Sequence, residues 1–138
     1  MRPLRSSCSI NRGVELLGDR WSLVILRDVI LYGRRSFNDL LMHSQEGITA
    51  SMLSARLKAL VANGVLTKDD APRGVQGRYS LTEVGIQLVP LLFELARVGS
   101  LVSPSSSTAE QVASYGDVGL MHSLMDRLRS EHLGPPRG

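Results

Sequence analysis

The sequence is poor in the residues most chemistry is built from. Its one cysteine is Cys8, so no disulfide can close within the chain, and a reducing cytoplasm fits. Its three histidines, His43, His122 and His132, are scattered, and no Gly-rich phosphate loop or spaced metal-ligand cluster accompanies them. An enzyme reading therefore has no residues to stand on, and neither a metal nor a cofactor is expected. Trp21 is the only tryptophan and reads as core or core-edge packing rather than a ligand stack. The longest apolar run, Leu23-Val24-Ile25-Leu26, stops at Arg27 and Asp28, far short of a membrane span. Residues 1–9 are polar with no apolar region after them, so no signal peptide is expected. No internal repeat is visible.

What is present is ordinary in amount and uneven in placement. With 138 residues, 43% apolar and 21% charged, the chain reads as one soluble domain, 1–138, large enough to bury a core. Its net charge of +3 permits nucleic-acid binding without requiring it. Up to Ser100 there are 13 Lys+Arg against 9 Asp+Glu, and beyond it 3 against 4, so the basic excess lies in the first hundred residues.

Residues 1–7 read as a loose arm. Ile10, Val14 and Leu17 are spaced for a short helix that Gly18 ends, and Asp19 can cap a second helix over Trp21–Leu31. Ser36, with Asp39 three residues on, opens a third helix of about six residues in the manner of a capping box. Arg34 and Arg35 lie just before it, placed for backbone phosphates or for a solvated turn.

The organising stretch runs from Ile48 to Tyr79. Thr49 can cap the helix that follows, and Gly64 can close it in the left-handed conformation. At about 100° per residue, Leu53, Leu57, Leu60 and Val61 share one face. Ser51, Met52, Ala55, Lys58 and Ala59 share the other, with Ser54 and Arg56 on its flanks. A small, weakly basic outer face suits a DNA major groove. Two short strands follow, over 65–69 and 78–81, joined by a Pro/Gly-rich turn that carries Arg73, with Arg78 on the return. Helix, turn, helix and arginine-bearing hairpin together make the winged helix-turn-helix layout.

Thr82 can cap a long helix from Glu83 to about Val98, bent at Pro90, with Val84, Leu88, Leu91, Leu92, Leu95 and Val98 as its buried stripe. Residues 100–107 form a Ser/Pro linker. Thr108 to Gln111 is a capping box for a last helix, 108–132, perturbed at Gly116 and Gly119. Its stripe of Met121, Leu124, Met125 and Leu128 must either fold back or meet a partner helix; a homodimer is the favoured reading.

From Cys8 onward the motifs resemble those of the HxlR-type regulators, a winged-helix family related to the MarR regulators. They are Leu17-Gly18-Asp19-Arg20-Trp21-Ser22, Ile25-Leu26-Arg27-Asp28, and Gly33-Arg34-Arg35-Ser36-Phe37-Asn38-Asp39-Leu40. Then follow Ile48-Thr49, Leu53-Ser54-Ala55-Arg56-Leu57-Lys58 and Gly64-Val65-Leu66. Tyr79-Ser80-Leu81-Thr82-Glu83-Val84-Gly85 and Leu88-Val89-Pro90-Leu91-Leu92 complete the set. The family's Trp-Gly near the end of the long helix is Val98-Gly99 here.

The resemblance implies a mainly α fold with a small antiparallel β hairpin. It is a winged helix-turn-helix core over 9–99, with extra N- and C-terminal helices for dimerisation. It implies a homodimer on double-stranded DNA, at a pseudo-palindromic operator. Thr49, Ser51, Ser54, Arg56 and Lys58 would contact groove or phosphate, Met52 and Ala55 would read methyls and shape, and Arg34, Arg35 and Ser36 would face the backbone. Arg73 and Arg78 would serve as wing contacts. Ile10 and Val14 would join the dimer interface. Cys8 stands where several members carry a redox-sensing thiol, which would make an oxidant or electrophile the effector; the alternative is a buried structural cysteine. A small ligand between the long helix and the dimer helices is another effector reading. The alternative function is a winged-helix module that binds protein rather than DNA.

Overall fold

In a computed structural model of the chain, residues 7–71, 77–102 and 114–134 are described. The chain divides into two units, Met1–Thr82 and Glu83–Gly138.

The first unit holds helices α1 (Ser9–Leu17), α2 (Arg20–Tyr32), α3 (Phe37–Met42) and α4 (Ala50–Ala62), then strands β1 (Leu66–Lys68) and β2 (Tyr79–Leu81). The caps expected at Asp19, Ser36 and Thr49 are in place. The Asp19 carboxylate accepts from the Ser22 amide, the Ser36 hydroxyl from the Asp39 amide, and the Thr49 hydroxyl from the Met52 amide. These bonds satisfy amides that a helix start leaves without partners. Gly33 and Gly64 close α2 and α4 at φ +63° and +76°, a region that side chains with a Cβ avoid.

Helices α2, α3 and α4 pack on one another, and α4 also packs on β1. Leu26, Val29, Leu53, Leu57 and Leu60 are at most 1% exposed, and they form the interior with Leu40, Leu66 and Leu81. Burying each such side chain is worth roughly 1.5–3 kcal/mol before the entropy of ordering is subtracted.

The hairpin pairs Leu66 with Leu81, Thr67 with Ser80 and Lys68 with Tyr79. Strict alternation would leave Ser80 outside, yet it is buried along with both its neighbours. Arg35 covers it. Its guanidinium donates to the Ser80 hydroxyl at 2.6 Å and to the Tyr79 carbonyl at 3.0 Å, while the Tyr79 amide donates to the Arg35 carbonyl at 2.7 Å. The link between α2 and α3 thus lies along β2 as a third short strand would. Thr82 fastens the base of the hairpin, its hydroxyl donating to the carbonyls of Gly64 and Val65.

The second unit holds α5 (Glu83–Ile86), α6 (Val89–Val102) and α7 (Val118–Leu133), with α7 packed on α5 and α6. Sequence reasoning expects one bent helix from 83; the chain instead breaks at Gln87 and Leu88 and restarts at Val89. Pro90 explains the break, since it offers no amide to the Ile86 carbonyl, and its ring tolerates only the first turn of a helix. The restart changes which side faces inward. Gly85, Ile86 and Val89 are buried, whereas Val84, Leu91, Leu95 and Val98 of the expected buried stripe are each more than 40% exposed.

Helix α6 also runs on through Val102, so residues 100–102 of the expected linker are helical. Across the break, an 18-residue window within residues 83–102 has mean hydropathy 1.4, long and apolar enough to cross a membrane by length and composition alone. A search for unbroken apolar runs overlooks this segment because Glu94 and Arg97 interrupt it. The expected helix start at Thr108 lies outside the described residues. Among those described, α7 begins after Gly116 with Asp117 as its cap, and Gly119 sits inside its first turn without breaking it.

Candidate nucleic-acid interface

The outward surface of α4 follows from its wheel. Ser51, Ala55, Lys58 and Ala62 recur at helical spacing and are exposed, while Leu53, Leu57 and Leu60 point into the core. Met52 and Ala59 are half-buried on one flank, Ser54 and Val61 on the other. Thr49 is exposed at the helix start, where unpaired amides favour an anion such as a phosphate. Only short side chains and one ammonium project from this face, so nothing bars close approach to a groove.

Arg56 is placed differently from the expectation that it reaches out to DNA. Its Nε lies 3.4 Å from the Asp19 carboxylate, the same group that accepts from the Ser22 amide and hydroxyl. That nitrogen is enclosed and makes no hydrogen bond. Arg56 therefore braces α4 against the start of α2. Lys58 forms no ion pair among the described residues, which leaves its charge available.

Arg34, Arg35 and Ser36 are all engaged within the chain. Arg34 donates to the His43 carbonyl at 3.0 Å, lies 3.6 Å from Asp28 and stacks 4.8 Å over the Tyr32 ring. Arg35 is bound to β2 and Ser36 caps α3. They hold α3 and the hairpin in place and present little free charge. On the hairpin, Arg78 is exposed and its carbonyl accepts from the Asp69 amide at 2.8 Å. Arg73 lies outside the described residues.

Sequence reasoning missed the strongest polar cluster. Asp28, 2% exposed, accepts from Arg27 at 2.8 and 3.0 Å, and Arg27 also grips Glu46 with two bonds of 2.8 Å. Arg34 supplies a second cation to Asp28. The cluster ties α2 to the turn between α3 and α4. Its signal was the Arg27-Asp28 pair within an otherwise apolar stretch; charges there stay only when partnered.

Hydrogen bonds from Arg27 hold the Glu46 carboxyl below its ordinary range, and the same bonds raise the Arg27 guanidinium. A carboxylate with a depressed folded pKa adds stability above its unfolded value, near 4.5, and loses that addition as pH falls through the folded one. Glu46→Gln should therefore leave a smaller fall in the urea midpoint between pH 6 and pH 3 than the natural chain shows. Equal falls would mean that the bridge does not contribute.

The residues expected at a dimer interface divide. Ile10 and Val14 are 80% and 58% exposed on α1. Met121 and Leu124 are half-buried, while Met125 and Leu128 are 6% and 1% exposed and so are covered by their own chain. The α7 stripe folds back, and α6 carries an exposed apolar row of Leu91, Leu95, Val98 and Val102; sequence reasoning places the first three in the core and Val102 in the linker. Cys8 is exposed at the N-cap of α1, its carbonyl accepting from the Arg12 amide.

Residues 16–107 match the model of the HxlR-like helix-turn-helix family. An uncharacterized HTH-type transcriptional regulator of Synechocystis sp. is 31% identical over 94 residues, 67% of this chain and 68% of that one. A regulator of the same description from Mycobacterium tuberculosis is 35% identical over 100 residues, 70% of this chain and 60% of its own length. Among solved structures, PA1607, described as a candidate transcription factor, aligns with TM-score 0.65 at 32% identity, over 76% of this chain and 73% of that one. The reduced form of the transcriptional regulator YodB from B. subtilis aligns with TM-score 0.58 at 28% identity, over 73% of this chain and all of that one. The capped α3–α4 pair, its hairpin and these likenesses agree: this chain belongs to the HxlR-like helix-turn-helix family of transcription regulators.

Proposed function

We propose that two copies of the chain bind one pseudo-palindromic stretch of double-stranded DNA, each laying α4 in the major groove with its hairpin alongside. The observation that carries this reading is the outward row Ser51, Ala55, Lys58 and Ala62, free of bulk and of negative charge. Recognition then rests on shape and on thymine methyls more than on bidentate base contacts, because no long polar side chain other than Lys58 projects from the row. Thr49 and Lys58 take phosphates, and Arg78 does so from the hairpin. A protein-binding module is the rival; it would give no salt-dependent preference for one DNA sequence.

Titrating the chain into its own upstream DNA and into unrelated DNA, at several salt concentrations, tests the reading. Lys58→Ala should weaken binding and lower the slope of log affinity against log salt by about one. An unchanged slope would remove Lys58 from the interface.

The copies pair through the apolar face of α6 in the second unit, and α1 in the first unit offers an apolar face of its own. A row of exposed leucine and valine on α6, with Ile10 and Val14 on α1, is what a partner helix covers in a helical interface. Leu95→Glu should give a folded monomer by light scattering and markedly lower DNA affinity. A variant that remains dimeric would place the interface elsewhere.

A thiol switch is a second reading, favoured by the exposure of Cys8 at the start of α1, one of the pairing helices. Modification there adds bulk or charge beside the interface. Diamide should release the natural chain from DNA and leave Cys8→Ser bound; identical responses would exclude the switch.

A further inference from the structure

Beside the outward row of α4 lies a cavity of about 550 Å³ between α4, the start of α3 and the hairpin. That volume falls within the roughly 300–1,000 Å³ typical of small-molecule sites. Phe37, Leu57, Val61 and Tyr79 supply apolar walls, with Leu57 and Tyr79 themselves almost fully buried. Lys58 and Lys68 supply the charge, one from α4 and one from β1, and among the described residues no carboxylate lines the cavity. Neither lysine forms an ion pair among the described residues; Lys68 Nζ lies 5.7 Å from the centroid of the Tyr79 ring.

We infer that this groove binds a small amphipathic anion, an apolar ring system bearing one carboxylate, and that the bound anion competes with DNA for Lys58. The two halves of the lining decide the class of occupant. A phosphate alone would satisfy the lysines and leave the apolar walls wet. A neutral apolar molecule would cover the walls and desolvate two unpaired cations. A carboxylate on an apolar body does both, gaining apolar burial along its length and charge-assisted hydrogen bonds at its head. The aromatic rings of Phe37 and Tyr79 favour a flat body over a branched one. Competition follows from geometry, because Lys58 borders both the groove and the exposed row of α4. Binding to the groove stands on the cavity itself, whereas the competition rests on the DNA reading.

The probe is 2-naphthoate, with the neutral 2-naphthamide as its control, titrated into the full chain by calorimetry and by amide NMR shifts. Saturable binding of the acid, with shifts centred on 57–61 and 79, is expected, and the amide should bind roughly tenfold more weakly or worse, as loss of a charge-assisted bond implies. Lys58→Ala/Lys68→Ala, both exposed positions, should fold normally by circular dichroism and weaken the acid by about the same factor. Absence of saturation at millimolar probe, equal affinity for acid and amide, or an unchanged affinity in the double variant would each overturn the site. In a second arm, the acid should displace the chain from its upstream DNA, and saturating acid with no displacement would overturn the competition. Should the chain bind no DNA at all, the DNA reading fails, while the titration still decides the groove.

Discussion

A single buried carboxylate governs the geometry of the first unit. Asp28 is almost wholly removed from water in α2, where Arg27 and Arg34 both reach it; stripping either partner from a buried carboxylate is costly. Each arginine also holds a second acceptor. Arg27 grips Glu46 in the turn before α4, and Arg34 holds the His43 carbonyl at the end of α3. The cations that neutralise Asp28 thus fix the turn between the two helices. Apolar packing alone would keep α3 and α4 together but would tolerate sliding; directional bonds at both ends of the turn do not. The cluster thus adds directional bonds to the apolar contacts that Leu53, Leu57 and Leu60 make from α4 itself.

The same use of charge runs through the rest of the unit. Arg35 binds the hairpin to the α2–α3 link, and Arg56 binds α4 to the capping carboxylate of α2. Arginine suits such posts, since its flat, forked head meets two acceptors and remains charged in a half-buried setting. After these duties, the outer face of α4 and its surroundings hold few free cations among the described residues. Lys58, Lys68 and Arg78 are exposed on or near that face.

Much of this was legible in the residues. Asp19, Ser36 and Thr49 announced three helix starts, because a cap is a local bond between a side chain and an amide two or three residues on. The wheel of α4 separated its two faces, and the paired strands followed from their turn residues. What sequence reasoning misjudged depends on distance. Arg34 and Arg35 look like solvent-facing charges until Asp28 and Ser80 come up to them, one from the preceding helix and one from across the hairpin. Leu91, Leu95 and Val98 look like core because leucine at helical spacing has the same appearance whether it is covered by its own chain or by another. The break at Gln87 and Leu88 shifted the phase of that helix, and Pro90 signalled a disturbance without saying which side would turn inward.

The bare leucines and valines of α6 bear on how such a protein would count its own abundance. With pairing through that face as proposed, lone subunits present one half-site each and hold DNA weakly, while coupled subunits hold it at two. Occupancy then climbs with roughly the square of subunit concentration at the dilute end, by mass action. A modest change in synthesis or turnover would carry the protein across a threshold, so the oily strip along one helix sets the dose at which a gene is noticed.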